Sequence, residues 1–230
     1  MNKDLFRDQR ERLIRYLVAE GYIKSDKVRK AMEKVPRESF VLPQYRQYAY
    51  VDTPLPIGYN QTISAPHMVA LMTERLDLKE GELVLEVGTG SGYQAAIIAE
   101  IIDPLSKGVG HVVTIEIVKE LAEFARENLM KTGYDDRVSV IIGDGSIGTF
   151  IDRELYDKII ITAASPKIPR KLISQLKPGG IMVVPVGSIW SQTLYIVKKI
   201  DVEKIKVIED IPCVFVPLKG REGFKELKEL

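Results

Sequence analysis

The sequence predicts an α/β protein with a central, mainly parallel seven-stranded sheet and helices on both faces. From Gly81 onward, short apolar segments alternate with helical ones, which is typical of repeated β–α–β units. The predicted strands are 82–87, 111–117, 138–142, 156–162, 181–186, 192–200 and 204–218. Because only a few residues separate the last two strands, we expect an antiparallel pair near the end of the sheet.

The helices between these strands follow from the same alternation. An apolar helix is predicted from the end of the glycine-rich turn at Gly92 to about Ile102, and a second one runs to about Lys131. The segment KIPRKLISQL (167–176) predicts a third helix before the fifth strand. Helices that alternate with parallel strands cover both faces of the sheet.

The first eighty residues are predicted to be helical and then irregular. Apolar residues recur at helical spacing from Leu5 to Ala19, and Ser25 can cap a second helix over 26–34. The segment 36–66 contains five prolines and four tyrosines, and loops of this length are usually functional. We expect residues 1–80 to pack as helices and a substrate-binding segment on a core formed by 81–224, making one compact domain. A tail, 225–230, follows.

Charge and composition exclude several classes of function. The 33 basic and 32 acidic residues give a net charge of +1, so no strong field attracts the chain to nucleic acid or to anionic membranes. The longest uncharged stretch, 178–197, contains proline, glycine and serine, which favours strand–loop–strand over a membrane helix. We therefore expect neither a nucleic-acid nor a membrane partner, and we expect a monomer.

The cysteine, histidine and asparagine content bears on metal binding, on the cellular compartment and on the growth temperature of the source. The lone Cys213 cannot form an internal disulfide, and with His67 and His111 it shows no metal-ligand spacing, so we expect no metal. The N-terminus has no apolar signal core, which favours the cytoplasm. Only three asparagines occur beside abundant lysine and glutamate, a composition that indicates a thermophile.

A glycine-rich turn after the first strand of the alternating region predicts a ligand site. Gly88, Gly90 and Gly92 follow this strand and open a helix, where glycine permits a tight turn and a close approach of the backbone to a ligand. A dinucleotide fingerprint would place the third glycine at position 93, which is Tyr93. A smaller nucleoside ligand is therefore favoured, with an ordinary strand-to-helix turn as the alternative.

Two carboxylates support a nucleoside site at the carboxyl edge of the sheet. Glu116 ends the next strand, where it can accept hydrogen bonds from both ribose hydroxyls, and Asp144 follows the third strand, where it can meet an adenine amino group. Each acid alone could instead be a solvated loop residue. Glu86 could contact the ligand through its loop, or it could have a structural role facing a helix.

The motifs themselves resemble known families. VLEVGTGSG (84–92) resembles the Rossmann-like S-adenosylmethionine-dependent methyltransferases. The segments IGYNQTISAPHMVALM (57–72), YDKIIITAASPKIP (156–169), LKPGGIMVVPVG (176–187) and FVPLKGREGF (215–224) resemble the protein-L-isoaspartate (D-aspartate) O-methyltransferase family. The resemblance implies methylation of the free α-carboxyl of isoaspartyl residues in damaged proteins and peptides. It implies S-adenosyl-L-methionine as the cofactor.

The resemblance also implies roles for individual residues. Ser64 is implied to be catalytic, with a hydroxyl that orients the substrate carboxylate; the alternative is an N-cap for the following helix. The implied cofactor-binding residues are Gln61, Thr62, Ile63, Gly88, Gly90, Gly92, Glu116, Asp144 and Gly145. The implied substrate-binding residues are Ser64, Ala65, Pro66, His67, Val214, Phe215 and Val216. Alternatives are a first-turn helix position for His67 and plain sheet core for 214–216.

Other functional classes stay open at this point. A methyltransferase acting on a small molecule or RNA is the main alternative, and a non-catalytic nucleoside-binding module is another. An RNA enzyme is expected to carry a basic face, which the net charge of +1 disfavours. A carboxylate acceptor is already ionised at neutral pH, so the implied reaction needs no general base.

Overall fold

A computed structural model of the chain describes residues 3–151 and 153–225. It contains a seven-stranded sheet with the order β5-β4-β3-β6-β7-β8-β9 and a separate hairpin of β1 and β2. The strands of the large sheet are β3 (Leu83–Val87), β4 (His111–Glu116), β5 (Val138–Ile142), β6 (Tyr156–Ile161), β7 (Leu176–Gly187), β8 (Gln192–Lys199) and β9 (Ile205–Cys213). Strands β3 to β7 pair in parallel, whereas β8 is antiparallel to both β7 and β9. The predicted fold class is confirmed.

The helices follow the apolar periodicity of the sequence. They are α1 (Lys3–Ala19), α2 (Asp26–Lys34), α3 (Pro66–Leu76), α4 (Tyr93–Ile102), α5 (Lys119–Thr132) and α6 (Arg170–Gln175). The Ser25 hydroxyl caps α2 by accepting a hydrogen bond from the Val28 amide, as its sequence position predicts. Every residue of α4 is buried, because this helix lies between the sheet and the N-terminal helices.

The proline- and tyrosine-rich segment has more regular structure than its composition suggests. It contains 3-10 helices at Arg37–Ser39 and Pro43–Tyr48, followed by strands β1 (Leu55–Gly58) and β2 (Gln61–Ile63). Apolar residues of this segment, including Phe40 and Ile57, join one buried cluster with residues of α1, α2 and the sheet. The proposed division at residues 80 and 81 stays a prediction, and tail residues 226–230 lie outside the described residues.

The prediction of a last strand extending to residue 218 is wrong. Strand β9 ends at Cys213, which pairs with Gln192, the first residue of β8, so the next residues have no partner strand there. The chain crosses instead to Ala164, whose amide donates to the Val216 carbonyl at 2.8 Å and whose carbonyl accepts from the Leu218 amide at 2.8 Å. Residues 214–218 therefore border the carboxyl ends of the parallel strands.

Candidate active site

Two cavities lie at the carboxyl edge of the parallel strands. The first is bordered by the ends of β3, β4 and β6, by the hairpin residues 61–63 and by residues 216–219. The second has a volume of about 190 Å³ and is bordered by the start of α3 and by residues 212–216. Ligands of open α/β sheets bind at this edge, so both cavities are candidates for binding and chemistry.

The glycine turn forms the floor of the first cavity. Gly88, Gly90 and Gly92 all have positive φ angles, and Gly88 and Gly90 line the cavity. A β-carbon at Gly88 would lie 2.5 Å from the Thr162 hydroxyl oxygen, so only glycine permits this approach. Gly92 packs toward α5 and does not line the cavity.

Glu116 presents a fixed carboxylate to the first cavity. Its Oε2 accepts a hydrogen bond from the Gly90 amide at 2.9 Å, and its Oε1 accepts one from the Val118 amide at 3.0 Å. These bonds lock the orientation of a side chain that is largely buried. Each oxygen keeps a further lone pair, so the carboxylate can accept two hydroxyl groups of a ligand.

Asp144 lies beside the first cavity but does not line it, whereas its neighbour Gly145 does. Its Oδ1 accepts from the Ser146 amide and hydroxyl at 3.0 and 2.6 Å, and its Oδ2 accepts from the Arg221 amide at 2.8 Å. Gly220 approaches this carboxylate so closely that no β-carbon fits. Asp144 therefore anchors the C-terminal segment, and its implied contact with adenine stays a prediction.

The implied substrate-binding residues converge on the second cavity. Ser64, Ala65, His67, Val214, Phe215 and Val216 all line it. Pro66, the first residue of α3, is buried and does not line it. Val214 is 75% exposed, so the sheet-core alternative fails for this residue. His67 is a first-turn residue of α3 and also lines the second cavity, and its implied contact with the substrate stays a prediction.

The two cavities meet at Thr62, Ser64, Thr162 and Val216, which line both of them. The N-cap alternative for Ser64 is wrong, because Ala65 occupies the N-cap position of α3 and no side chain caps it there. The Asp52 carboxylate instead accepts from the His67 amide and contacts its Nδ1, both at 2.9 Å. Among the described residues the Ser64 hydroxyl has no hydrogen-bond partner, so it can bind a ligand.

Glu86 lies beneath the first cavity and does not line it. It is fully buried, and its Oε2 accepts from the Thr114 hydroxyl at 2.6 Å, which in turn lies 2.7 Å from the hydroxyl of the cavity residue Thr89. Burial raises the pKa of Glu86 to about 8, with a contribution from the Glu116 charge, while the Thr114 hydrogen bond opposes the shift. Glu86 thus supports the turn as a structural residue.

Sequence reasoning missed several residues of the site. Thr162, Thr89, Tyr93 and Gln94 line the first cavity, and Thr162 donates to the Gly88 carbonyl at 2.6 Å. The rule that ligands bind at strand carboxyl ends could have identified Thr162, which directly follows β6. No sequence signal points to Asp52, because it contacts α3 only after the chain has folded back through the β1–β2 hairpin.

Among residues 3–151 and 153–225, no three or more histidine, cysteine, aspartate and glutamate side chains are grouped so that they could hold a metal ion. In the same part of the chain, no helix has both the length and the apolar character required to cross a bilayer.

Comparison with solved structures defines the class of protein. A crystal structure of the PCMT protein from Plasmodium falciparum in complex with S-adenosyl-L-homocysteine superimposes with a TM-score of 0.81 at 30% identity, covering 90% of this chain and 96% of that one. A structure named protein-L-isoaspartate O-methyltransferase gives a TM-score of 0.79 at 30% identity, covering 93% of this chain and 67% of that one. The fold is that of the Rossmann-like S-adenosylmethionine-dependent methyltransferases.

Sequence comparison defines the family within this class. The family model for protein-L-isoaspartate(D-aspartate) O-methyltransferase (PCMT) matches residues 8–223. Relatives named protein-L-isoaspartate O-methyltransferase include one from Hyperthermus butylicus, 56% identical over 98% of this chain and 94% of its own. Another, from Staphylothermus marinus, is 53% identical over 96% of this chain and 98% of its own. The chain belongs to the protein-L-isoaspartate(D-aspartate) O-methyltransferase family.

The raised pKa of Glu86 predicts a specific pH dependence of stability. The folded protein holds the Glu86 proton up to about pH 8, whereas the unfolded chain releases it near 4.5, so stability is lost as the pH rises through this window. Glu86→Gln stays neutral and avoids this loss. We expect the difference in free energy of unfolding between Glu86→Gln and the unsubstituted protein to grow in favour of Glu86→Gln as the pH rises. The growth should be up to about 1.4 kcal/mol per pH unit between about pH 5 and 8.

Guanidinium chloride unfolding at several pH values measures this difference. Glu80→Gln, at an exposed position, is the matched control and should show no pH-dependent gain. A constant difference between Glu86→Gln and the unsubstituted protein over this range would show that Glu86 is not protonated in the folded state.

Proposed function

We propose that this chain transfers a methyl group from S-adenosyl-L-methionine to the free α-carboxyl of L-isoaspartyl residues in damaged proteins and peptides. The product is a methyl ester that reverts through a succinimide, which returns part of the damaged sites to normal aspartate. The observation that carries the proposal is the junction of two cavities at Ser64 and Thr162, one suited to a nucleoside and one to a peptide.

The residues of the first cavity fit S-adenosylmethionine. The Gly88 and Gly90 backbone forms a cradle without side chains, and Glu116 offers two oriented oxygens to the ribose hydroxyls. Ile115 and Ile117 add apolar surface suited to a purine ring. When bound, the cofactor supplies an electrophilic methyl group on a positively charged sulfur.

The residues of the second cavity suit a carboxylate acceptor. An isoaspartyl α-carboxyl is ionised at neutral pH, so the protein has no proton to remove and needs only to orient the nucleophile. The Ser64 hydroxyl is available to donate to one carboxylate oxygen, which leaves the other free to face the first cavity. Catalysis then depends on placing the reacting atoms about 3 Å apart and in line.

The peptide main chain has a natural binding surface beside Ser64. Residues 214–216 leave the sheet after Cys213, and among the described residues the Val214 and Val216 amides have no hydrogen-bond acceptor. Extended peptides commonly bind through main-chain hydrogen bonds to such strand-like backbone. A small-molecule or RNA acceptor is the alternative, and neither accounts for an open backbone at this position.

We also propose the setting in which the reaction takes place. The single cysteine cannot form an internal disulfide, which supports a reducing compartment such as the cytoplasm. The two relatives named above come from thermophiles, which supports a thermophilic source together with the asparagine-poor composition. We propose a monomer whose macromolecular partners are isoaspartyl proteins and peptides, with no nucleic-acid or membrane partner.

Discrimination between two isomeric peptides tests the proposed function. An isoaspartyl residue and a normal aspartyl residue carry the same charge and differ in the position of one methylene and in the path of the main chain. Because a displacement of about 1 Å can cost about 100-fold in rate, we expect the aspartyl isomer to react at least about 100-fold more slowly.

Tritiated methyl transfer to both isomers measures the ratio, and base treatment should release the label because the product is an ester. Equal rates on both peptides, or a base-stable label, would leave only a methyltransferase of another specificity.

Replacement of Ser64 tests its catalytic role. We expect Ser64→Ala to fold normally, to bind S-adenosylhomocysteine as before and to lose at least about tenfold in turnover, because one hydrogen bond to the charged carboxylate is removed. Ser174→Ala, on the exposed face of α6, is the matched control and should retain full activity. Full turnover of Ser64→Ala would exclude this role.

Replacement of Glu116 tests the cofactor site. In Glu116→Ala the carboxylate that would accept hydrogen bonds from the ribose hydroxyls is removed. We expect S-adenosylhomocysteine binding to weaken by about 10- to 150-fold, equivalent to about 1.5–3 kcal/mol. Calorimetric titration gives the affinity directly. Glu120→Ala, at an exposed position in the first turn of α5, is the control; equal affinity of the two variants would contradict the assignment of Glu116.

A further inference from the structure

Arg37 is a cation buried in the interior, close to the site. It lies in the short 3-10 helix Arg37–Ser39, and none of its surface is exposed. Removing a guanidinium from water is expensive unless its charge and its five N–H groups are compensated. The surroundings of Arg37 therefore indicate what this charge does.

The Arg37 side chain is bonded to the backbone of the proposed catalytic residue. Its Nη2 donates to the Ser64 carbonyl at 2.8 Å, and its Nε donates to the Ala49 carbonyl at 2.8 Å. The guanidinium carbon lies 5.0 Å from the ring centroid of Tyr93, a residue that lines the first cavity. One rigid group thus connects the substrate-binding segment to the wall of the cofactor cavity.

The charge of Arg37 is only partly compensated. Among the described residues no carboxylate forms an ion pair with Arg37, and its Nη1 is buried without a hydrogen-bond partner. Burial lowers the pKa of Arg37, while Tyr93, Tyr50 and Asp52 oppose this shift, and a guanidinium stays ionised in proteins. Asp52, the carboxylate among these groups, is itself bonded to the His67 amide and ring.

We propose that Arg37 is a positioning residue that fixes the Ser64 backbone and supplies the positive charge by which the second cavity selects a carboxylate over a neutral group. The proposal rests on the proposed function, because it assigns the carboxylate to the isoaspartyl substrate. Arg37 lines neither cavity, so the cation acts through its hydrogen bond to the Ser64 carbonyl and through the buried interior around it, where its field is weakly screened.

The same charge also distinguishes substrate from product. The substrate carboxylate is an anion, whereas its methyl ester is neutral, so a fixed cation binds the substrate more tightly than the product. Arg37 therefore favours release of the ester after transfer. A purely structural arginine would hold the segment together without any such preference for charge.

The ratio of two dissociation constants distinguishes a charge-selecting role of Arg37 from a purely structural one. The dissociation constants of an isoaspartyl peptide and of its α-carboxamide counterpart are measured by calorimetry with S-adenosylhomocysteine present, since the two ligands have nearly the same shape and differ in charge. We expect the unsubstituted protein to favour the carboxylate by about tenfold or more. Arg37→Met should bring this preference close to unity, and Arg37→Lys, which keeps the charge, should retain it within about twofold while turnover falls.

Controls make the outcome specific to Arg37. Arg10→Met removes a part-buried arginine that pairs with Glu38 at 3.1 Å and does not contact Ser64, so it should leave the preference unchanged. The affinity for S-adenosylhomocysteine, measured first, shows that each variant is folded. Because methylation of the isoaspartyl peptide by the unsubstituted protein is a separate measurement, the proposed function can stand when the role of Arg37 fails.

The outcomes that overturn the proposal are definite. It fails if the unsubstituted protein binds both peptides equally, or if a folded Arg37→Met variant keeps the full preference. Where Arg37→Met does not fold, Arg37→Lys decides: a retained preference supports the charge, and a tenfold loss of preference contradicts it.

Discussion

The close approach between the Gly88 backbone and Thr162 is the contact on which the site depends. The Thr162 hydroxyl donates to the Gly88 carbonyl at 2.6 Å and leaves no room for a side chain at position 88. The bond connects the ends of two neighbouring parallel strands, β3 and β6. Because Thr162 lines both cavities, this contact determines where the glycine turn of the first cavity meets the second cavity.

Two distant parts of the chain enclose that point. From the N-terminal side, the β1–β2 hairpin places residues 61–64 over the glycine turn. Arg37 bonds to Ser64 at the end of this segment, and Asp52 bonds to His67 in the first turn of α3. From the C-terminal side, residues 216–221 are bonded to Ala164 and Asp144. The site is therefore assembled from pieces that no local interaction could bring together.

Much of the fold was predictable because it follows local periodicity. The bounds of α2 and β5 agree with the sequence expectation, since a capping serine and a β-branched apolar run are short-range signals. The extent of the last strand was not predictable, because it depends on where β8 begins on the neighbouring strand. The small hairpin was equally hidden, since Tyr59 and Asn60 adopt positive φ angles in its turn without an adjacent Asn-Gly signal.

By itself the sequence determined the alternation of strands and helices, the glycine turn, Glu116 at the end of β4 and the family resemblance carried by residues 57–72. Only the tertiary structure decided that Ser64 is free to bind a ligand while Ala65 occupies the N-cap, that Asp144 anchors the C-terminal segment, and that Arg37 lies behind Ser64. The physical reason is that local patterns specify which backbone conformations are favourable. Burial, hydrogen-bond partners and uncompensated charge are set by residues far away in the chain.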